Sequence, residues 1–415
     1  MSLSTTMLPQ ALPPAPAYSS GRNYSGAPLT LNQVLEIAHR ANPALLSAAQ
    51  HLSAVHAQEI TAALRQNPTG TLSSQMVTLG PGDPNGTEFY LAGVQRLFER
   101  GNKRQLRLDT ARSTSALTGF QLEDQRRQID LSIRQAFSRM LYAEDAVAIS
   151  RENLDGYRKT VALMKVRLDA GDIDQTDFDR VDLQLAGFDS DLENATLALR
   201  QGSIALQTLI GLVTPSDSFA IVGTLDPPNI TSTLDDLRGS ALANRPDLKA
   251  AQSQVQVNGA ALKLAVANGT ADPTIEAEYE RAGHANSVGA SVNIPLRLFD
   301  RNQGEKERAR YELESSRLAL TATGQQVLSE VDSAWAAYLA AQTQSERYRS
   351  KYLAEAAHVR DNLEFSYRNG NTTLLDYLSA LSDYRQVNLA ALNTRLQLLL
   401  ALEQLNYVAY AEVIP

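Results

Sequence analysis

The chain has 415 residues, of which 43% are hydrophobic, only 6% are aromatic and none is cysteine, and its formal net charge is −8. Without cysteine we expect no disulfide, no thiolate metal site and no lipid-modified cysteine. The acidic charge argues against a nucleic-acid partner, which requires a basic surface. The sequence contains no run of 18 apolar residues, so it predicts no membrane-spanning helix.

Residues 1–28 form a predicted N-terminal extension rich in proline, serine and alanine, a composition typical of extended and unpacked chain. This segment lacks the basic and apolar regions of a secretory signal peptide. Two interpretations follow: the protein is cytoplasmic, or its export signal is not part of this sequence. We favour the second because of the internal repeat.

The sequence is duplicated over nearly its whole length. Asn42-Pro43 returns as Arg245-Pro246, Leu97–Arg100 returns as Leu298–Arg301, and Gly171 with Asp177 returns as Gly370 with Asp376. The offset between copies is about 200 residues throughout, which makes chance an unlikely cause. We therefore predict one intertwined domain made of two repeats, at 29–212 and 233–411, with a connector at 213–232.

Each repeat has the same predicted order of elements. A short helix ends before the proline, and a second helix, a β-hairpin, a very long helix, a tight turn and a return helix follow. The long helices are predicted at 102–168 and 302–367, and the return helices at 174–211 and 373–410. Narrow apolar stripes on the long helices indicate coiled-coil packing against the return helices.

The two hairpins have predicted strands at 70–80 and 87–96, and at 273–282 and 286–296. In the second hairpin the apolar residues Ile275, Ala277 and Tyr279 alternate with Glu276, Glu278 and Glu280. Alternation of this kind predicts one apolar and one polar face. The pattern occurs both in a soluble sheet with one solvated face and in a transmembrane β-barrel.

Four strands are too few to close a barrel. In lipid, each unpaired backbone group at an open edge would cost several kcal/mol. A membrane location therefore requires several chains to share one barrel.

With these features the sequence resembles the TolC-like outer-membrane efflux family over about residues 29–411. The stretches Val94–Arg104 and Ile294–Gly304 resemble the barrel-to-tunnel junction of the branch that serves cobalt-zinc-cadmium exporters. The resemblance implies a mainly α fold with a small membrane β-barrel. Three chains would contribute four strands each to a 12-stranded barrel above an α-helical tunnel.

The resemblance also implies a location and partners. We expect a homotrimer in the outer membrane of a Gram-negative bacterium, with its tunnel in the periplasm. It would dock with a periplasmic adaptor and an inner-membrane proton-driven pump of the RND type. The channel would bind no cofactor and catalyse no reaction.

The first turn between long and return helices is rich in aspartate. As a calcium loop it fails, because Asp177 stands where glycine is required and Leu183 where glutamate is required. Capping of the following helix by Asp172 or Asp174 is a sufficient explanation for much of this charge.

The resemblance gives these turns a second role, as the periplasmic gate of the tunnel. It places Asp177 and Asp376 on the pore side of the closed end, and it matches Tyr367 to a tyrosine that holds this end shut. We therefore assign the gate to Asp172, Asp174, Asp177, Tyr367 and Asp376. The sequence departs from the family pattern at Thr372 and Ser379, which predicts a weaker or differently connected gate.

The predicted barrel lumen carries Glu276, Glu278 and Glu280. No resident metal site is predicted, since His51 and His56 diverge by about 140° around a helix. No catalytic motif is present, so we expect no enzyme. The expected function is export of divalent heavy-metal cations. The alternatives are a TolC-like channel for drugs or proteins and a soluble structural coiled-coil protein.

Overall fold

The computed structural model describes residues 27–75, 89–227 and 230–411. Nearly all of the predicted N-terminal extension lies outside them, and so do residues 76–88, which include the end of the predicted strand 70–80 and the start of the predicted strand 87–96. The elements are α1 (Leu31–Ala41), α2 (Pro43–Ala63), β1 (Thr69–Gln75), β2 (Phe89–Leu97), α3 (Lys103–Asp169), α4 (Gln175–Leu209), α5 (Leu234–Asn244), α6 (Pro246–Asn268), β3 (Thr274–Ala282), β4 (Ala285–Asn293), α7 (Gln303–Arg347), α8 (Leu353–Arg368) and α9 (Leu374–Ala409). The predicted order of helices and hairpins in each repeat is confirmed.

The chain divides into two compact units, and both repeats contribute to each. Unit 1 consists of Met1–Pro43, Ile129–Pro228 and Tyr338–Glu403. Its largest apolar core contains fully buried side chains from α3 and α4, among them Ile133, Met140 and Leu206. A parallel bridge between Leu29 and Ile221 joins the start of the described chain to the connector.

Unit 2 consists of Ala44–Gln128, Asn229–Ala337 and Gln404–Pro415, and it contains the sheet. The two hairpins join through antiparallel pairing of β2 with β3, which gives one sheet in the order β1-β2-β3-β4. The sequence patterns did not predict this pairing. Within the described strands, the outer edges of β1 and β4 have no partner.

The second hairpin is tighter and shorter than predicted. Ala282 pairs with Ala285, so the loop has only two residues, and Gly283 adopts φ 58°. That left-handed conformation favours glycine and suits a two-residue hairpin. Strand β4 ends at Asn293, before Pro295, which has no N–H to donate to a ladder.

The residue before each repeat's proline binds a carbonyl at the end of a return helix. In unit 1, Asn42 Nδ2 donates to the Leu209 carbonyl over 2.7 Å. In unit 2, the buried Arg245 donates to the Val408 carbonyl over 3.2 Å and pairs with Asp247 and Glu330. Both contacts satisfy carbonyls that a helix leaves open at its C-terminus.

The two long helices differ. Helix α3 is continuous over 67 residues. Its counterpart, predicted as one helix, is interrupted by a π-helical turn at Tyr348–Tyr352 between α7 and α8. A π turn adds a residue to one helical turn and so shifts the faces that follow it. None of the helices in the described ranges is both long and apolar enough to cross a membrane.

Unit 1 buries one carboxyl group that has little compensation. Glu403 on α9 is 3% exposed, and its Oε1 accepts a hydrogen bond from Ser138 of α3, while Oε2 has no hydrogen-bond partner among the described residues. Burial raises the pKa of Glu403 to about 7, against the opposing effects of Ser138 and the charges of Arg134 and Arg139. The folded state therefore retains the proton to a higher pH than the unfolded chain does.

We expect the thermal unfolding midpoint to fall as pH rises from about 4.5 to about 7, because folding then requires either ionisation of a buried group or proton uptake. Glu403→Gln should remove this slope and, above pH 7, raise the free energy of unfolding by up to roughly 3 kcal/mol. Glu193→Gln, which changes an exposed carboxylate on α4, is the control and should keep the slope. An unchanged slope in Glu403→Gln would assign the pH dependence to other groups.

Candidate functional site

The sheet of unit 2 has two chemically different faces, as the alternation predicts. In the register, Glu276, Glu278 and Glu280 lie on the face that also carries the small or polar residues of β1 and β4. No basic residue lies on this face within the four described strands. The opposite face is mainly apolar and largely exposed in the single chain, with Leu72, Tyr90, Ala92, Val94, Ile275, Ala277, Tyr279, Val288, Ala290 and Val292, and it also carries Arg96, Arg281 and Asn286 near its ends.

Two glycines flank the central glutamate. Glu278 pairs with Gly93 on β2 and with Gly289 on β4. A Cβ atom at Gly289 would stand 2.9 Å from Glu278 Oε1, so the glutamate side chain occupies the space above this glycine. Ser291 donates to Glu276 Oε2 over 3.4 Å. The three carboxylates are thus half-buried along one line, about 7 Å apart along the strand.

The turns at the ends of α3 and α8 share one geometry. Gly171 and Gly370 adopt φ 80° and 72°, which is the left-handed conformation of a helix-ending glycine. The next residue in each turn closes the helix by a backbone hydrogen bond, from Asp172 to Arg167 and from Asn371 to Ser366, both over 2.9 Å. The repeated sequence therefore builds the same turn twice.

The predicted gate aspartates are hydrogen-bonded at the start of α4 and α9. Asp174 is the N-cap of α4 and accepts from the Asp177 N–H over 2.8 Å. In the equivalent turn Asp376 accepts from the Thr373 and Thr372 hydroxyls over 2.7 and 3.1 Å. These bonds, chiefly that from Thr373, lower the pKa of Asp376.

These contacts fix Asp376 more tightly than Asp177. The side chain of Asp177 has Arg180 at 3.8 Å, on the same helix, and Asp376 has two local hydroxyl donors. Thr372, where the sequence departs from the family pattern, is one of these donors. Capping thus accounts for Asp174 and for one role of Asp376.

Tyr367 joins three helices of unit 1. Its ring stacks on Tyr377 of α9 with centroids 5.3 Å apart and planes at 7°. From α3, the Arg167 guanidinium lies 5.2 Å from its ring centroid, and its hydroxyl donates to Met164 Sδ over 3.5 Å. Sequence reasoning missed these three partners, although Tyr377 directly follows a predicted gate residue.

Residues next to Tyr367 extend the same cluster. Tyr157 stacks on Phe188 at 4.3 Å and donates to the Val181 carbonyl over 2.7 Å. Burial raises the pKa of Tyr157, so its phenol stays protonated. The helices are therefore held together at this end by aromatic stacking and neutral hydroxyl groups.

In the described part of the chain, no group of three or more histidine, cysteine or carboxylate side chains is arranged to hold a metal ion. His56 and Glu59, which the sequence places on one helix face, form a pair at 3.1 Å. A single exposed pair provides too few ligands for a structural metal site.

Comparison with known proteins gives consistent matches. A family model described as outer membrane efflux protein matches residues 34–212 and 237–409. The cobalt-zinc-cadmium resistance protein CzcC of Cupriavidus metallidurans is 26% identical over 306 residues, which cover 72% of this chain and 71% of that protein. These matches confirm the resemblance predicted from the sequence.

Two solved structures are similar in fold. A membrane protein from Pseudomonas aeruginosa gives a TM-score of 0.79 at 18% identity, over 91% of this chain and 92% of its own. The open state of the Neisseria gonorrhoeae MtrE outer membrane channel gives 0.77 at 17% identity, over 92% and 89% of the two chains.

We expect Tyr367→Ala to reduce the free energy of unfolding of unit 1 by about 2 kcal/mol, because it removes a half-buried ring and its stacking contact with Tyr377. Hydrogen exchange should accelerate in α8 and in the first turns of α9. Tyr367→Phe keeps the stack and loses only the weak bond to Met164, so it should exchange like the wild type. Equal acceleration in both variants would contradict the importance of stacking.

Proposed function

Because the chain belongs to the outer membrane efflux protein family, we propose that it exports divalent heavy-metal cations as the outer-membrane channel of a tripartite system. The coarser assignment, an outer-membrane efflux channel of Gram-negative bacteria and not an enzyme, follows from family membership. Membership also removes the soluble coiled-coil alternative. The proposal adds the substrate class, the assembly and the partners.

One observation carries the choice of cations. Three glutamates follow one another along one face of the sheet, and no basic residue of the described strands neutralises them. A pore lined by such a face attracts cations and repels anions, most strongly at low salt. The similarity to CzcC, a cobalt-zinc-cadmium resistance protein, supports the same substrate class.

The open edges of β1 and β4 support a homotrimer. Lipid cannot hydrogen-bond to exposed strand edges, so a membrane sheet must close on itself. Four strands from each of three chains would form a 12-stranded barrel, with the apolar face toward lipid and Glu276, Glu278 and Glu280 toward the lumen. As an efflux channel without an energy source of its own, the trimer would work with a periplasmic adaptor and an RND-type pump.

The gate proposal rests on the equivalent turns of α3–α4 and α8–α9. In this proposal Asp177 and Asp376 would stand near the trimer axis, in three copies each, with Asp172 and Asp174 beside them. Two unit charges 4 Å apart interact by about 1 kcal/mol in water and by about 4 kcal/mol at an effective dielectric constant of 20. Cations that enter such a ring relieve this repulsion. Tyr367 would hold the closed end together through Tyr377, Arg167 and Met164.

The gate is tested with the purified channel in planar bilayers, after its mass in detergent has been shown to be that of three chains. Asp177→Ala with Asp376→Ala should shift the reversal potential in a salt gradient toward lower cation selectivity and weaken block by Zn²⁺. The shift should shrink at high salt because exposed charges are screened. Arg180→Gln, which leaves both aspartates, is the control for a change at this turn. A reversal potential identical to that of the wild type would leave only the capping role.

The substrate class is tested in cells of the source bacterium that lack this protein. We expect them to become sensitive to cobalt, zinc and cadmium salts while their tolerance of cationic dyes and antibiotics stays unchanged. Expression of the wild-type chain should restore growth on metals. The opposite pattern, with sensitivity to dyes or antibiotics alone, would support the alternative of a channel for drug export.

A further inference from the structure

The same five-residue pattern stands where each hairpin leads into a long helix, and in the first repeat its first two residues are still part of β2. Residues 96–100 read Arg-Leu-Phe-Glu-Arg, and residues 297–301 read Arg-Leu-Phe-Asp-Arg. We call these two stretches the junction segments, since each leads from a strand to a long helix. In both repeats an arginine is followed two residues later by an exposed phenylalanine, and neither the proposed lumen nor the proposed gate gives these residues a role.

The register places the first arginine on the apolar face of the sheet. Arg96 pairs with Ile275, and both belong to the set of positions that contains Val94 and Ala277. The Arg96 guanidinium lies 5.2 Å from the ring centroid of Phe98, two residues further along. A cation therefore stands at the end of this mainly apolar face where the strand leads toward α3, and Arg281 stands near the other end of the same face.

Large apolar side chains are exposed in the second junction segment and directly before it. Phe299 is 91% exposed, Leu296 is 78% exposed and Leu298 is 64% exposed. In the first segment Phe98 is also exposed. Contiguous exposed side chains of this size mark an interaction surface, and here they continue from the apolar sheet face.

The junction is basic in a chain of net charge −8. Residues 94–107 and 295–304, together with Asp272, contain seven basic and three acidic residues. The basic residues are Arg96, Arg100, Lys103, Arg104, Arg107, Arg297 and Arg301, and the acidic residues are Glu99, Asp272 and Asp300. Two of the acids already have close partners, since Asp272 pairs with Lys103 at 2.6 Å and Glu99 pairs with Arg107.

The arginines that begin the two segments are not neutralised in this way. In the described residues, no ion pair within 4.0 Å is formed by Arg96 or Arg297, although Arg297 is close enough to Asp272 for their charges to interact. A guanidinium beside an exposed aromatic and aliphatic surface matches a molecule with a phosphate at one end and a hydrocarbon chain at the other.

We propose that the junction segments bind anionic phospholipid, with Arg96 and Arg297 on the headgroup phosphate and Phe98, Leu298 and Phe299 on the acyl chains. The site rests on the proposed function, in which the apolar face of the sheet contacts lipid. Free phosphate would meet the same arginines, but it would leave the adjoining apolar side chains exposed. Three chains would provide six junction segments, two from each chain.

Native mass spectrometry of the detergent-purified trimer tests the site. Phosphatidylglycerol or phosphatidylcholine with identical acyl chains is added, and the bound lipids are counted. The wild type should retain phosphatidylglycerol in preference to phosphatidylcholine. Each arginine removed should weaken this preference about fivefold, the equivalent of about 1 kcal/mol per basic residue at a membrane surface. Millimolar inorganic phosphate should not displace the lipid.

Three variants make the result specific. Arg96→Gln with Arg297→Gln should lose the preference, and Arg96→Lys with Arg297→Lys should largely keep it, since lysine also binds phosphate as a point charge. Arg310→Gln removes an exposed arginine of α7 that pairs with Glu307 and should behave like the wild type. Equal retention of both lipids by the wild type, or an undiminished preference in the double glutamine variant, would overturn the lipid site.

Bilayer recordings separate this outcome from failure of the proposed function. If the wild type inserts and conducts but retains both lipids equally, the channel stands and the lipid site is wrong. If the wild type neither inserts nor conducts, the proposed function itself is wrong. Competition of the lipid by inorganic phosphate alone would assign the arginines to a free anion and would also overturn the proposal.

Discussion

The need to satisfy backbone hydrogen bonds at the edges of the sheet is the constraint on which the proposed assembly depends. Pairing of β2 with β3 joins the two hairpins, and among the strands that the structure describes the outer edges of β1 and β4 stay open. Water can bond to such edges and hydrocarbon cannot. One apolar face and two open edges are therefore compatible with a membrane only if further copies complete the sheet, so trimer formation would be a condition of the membrane fold.

The two repeats agree more closely in the positions of their helices and strands than in the side chains at equivalent positions. The residue before the repeat's proline is Asn42 in one copy and Arg245 in the other, and each binds a carbonyl at the end of a return helix. The N-cap is Asp174 in one turn and Thr373 in the other. Backbone groups at helix ends need a partner, but several side chains can provide it. The copies could thus diverge in charge without a change of fold.

Acidic and basic side chains of the sheet and its junction segments occupy different parts of unit 2. The carboxylates of β3 share one face of the sheet, and the arginines of the junction segments stand where the strands end. The glutamates and the arginines are separated both along the strands and across the sheet, so these opposite charges do not neutralise one another locally. Gly289 leaves the space that the Glu278 side chain occupies, so a residue without a side chain helps to position a charged one.

The sequence by itself determined most of the elements and their faces, though not the π turn between α7 and α8, because helix and strand periods, prolines, glycines and caps act over a few residues. It also identified the two equivalent turns and the glutamate face. Only the tertiary structure decided that β2 pairs with β3, that Tyr367 stacks on Tyr377 and meets Met164, and that Arg245 lies buried between Asp247 and Glu330. Most of these contacts join residues far apart in the chain. A local pattern shows which face of an element is apolar, but the partner of that face depends on how the whole elements pack.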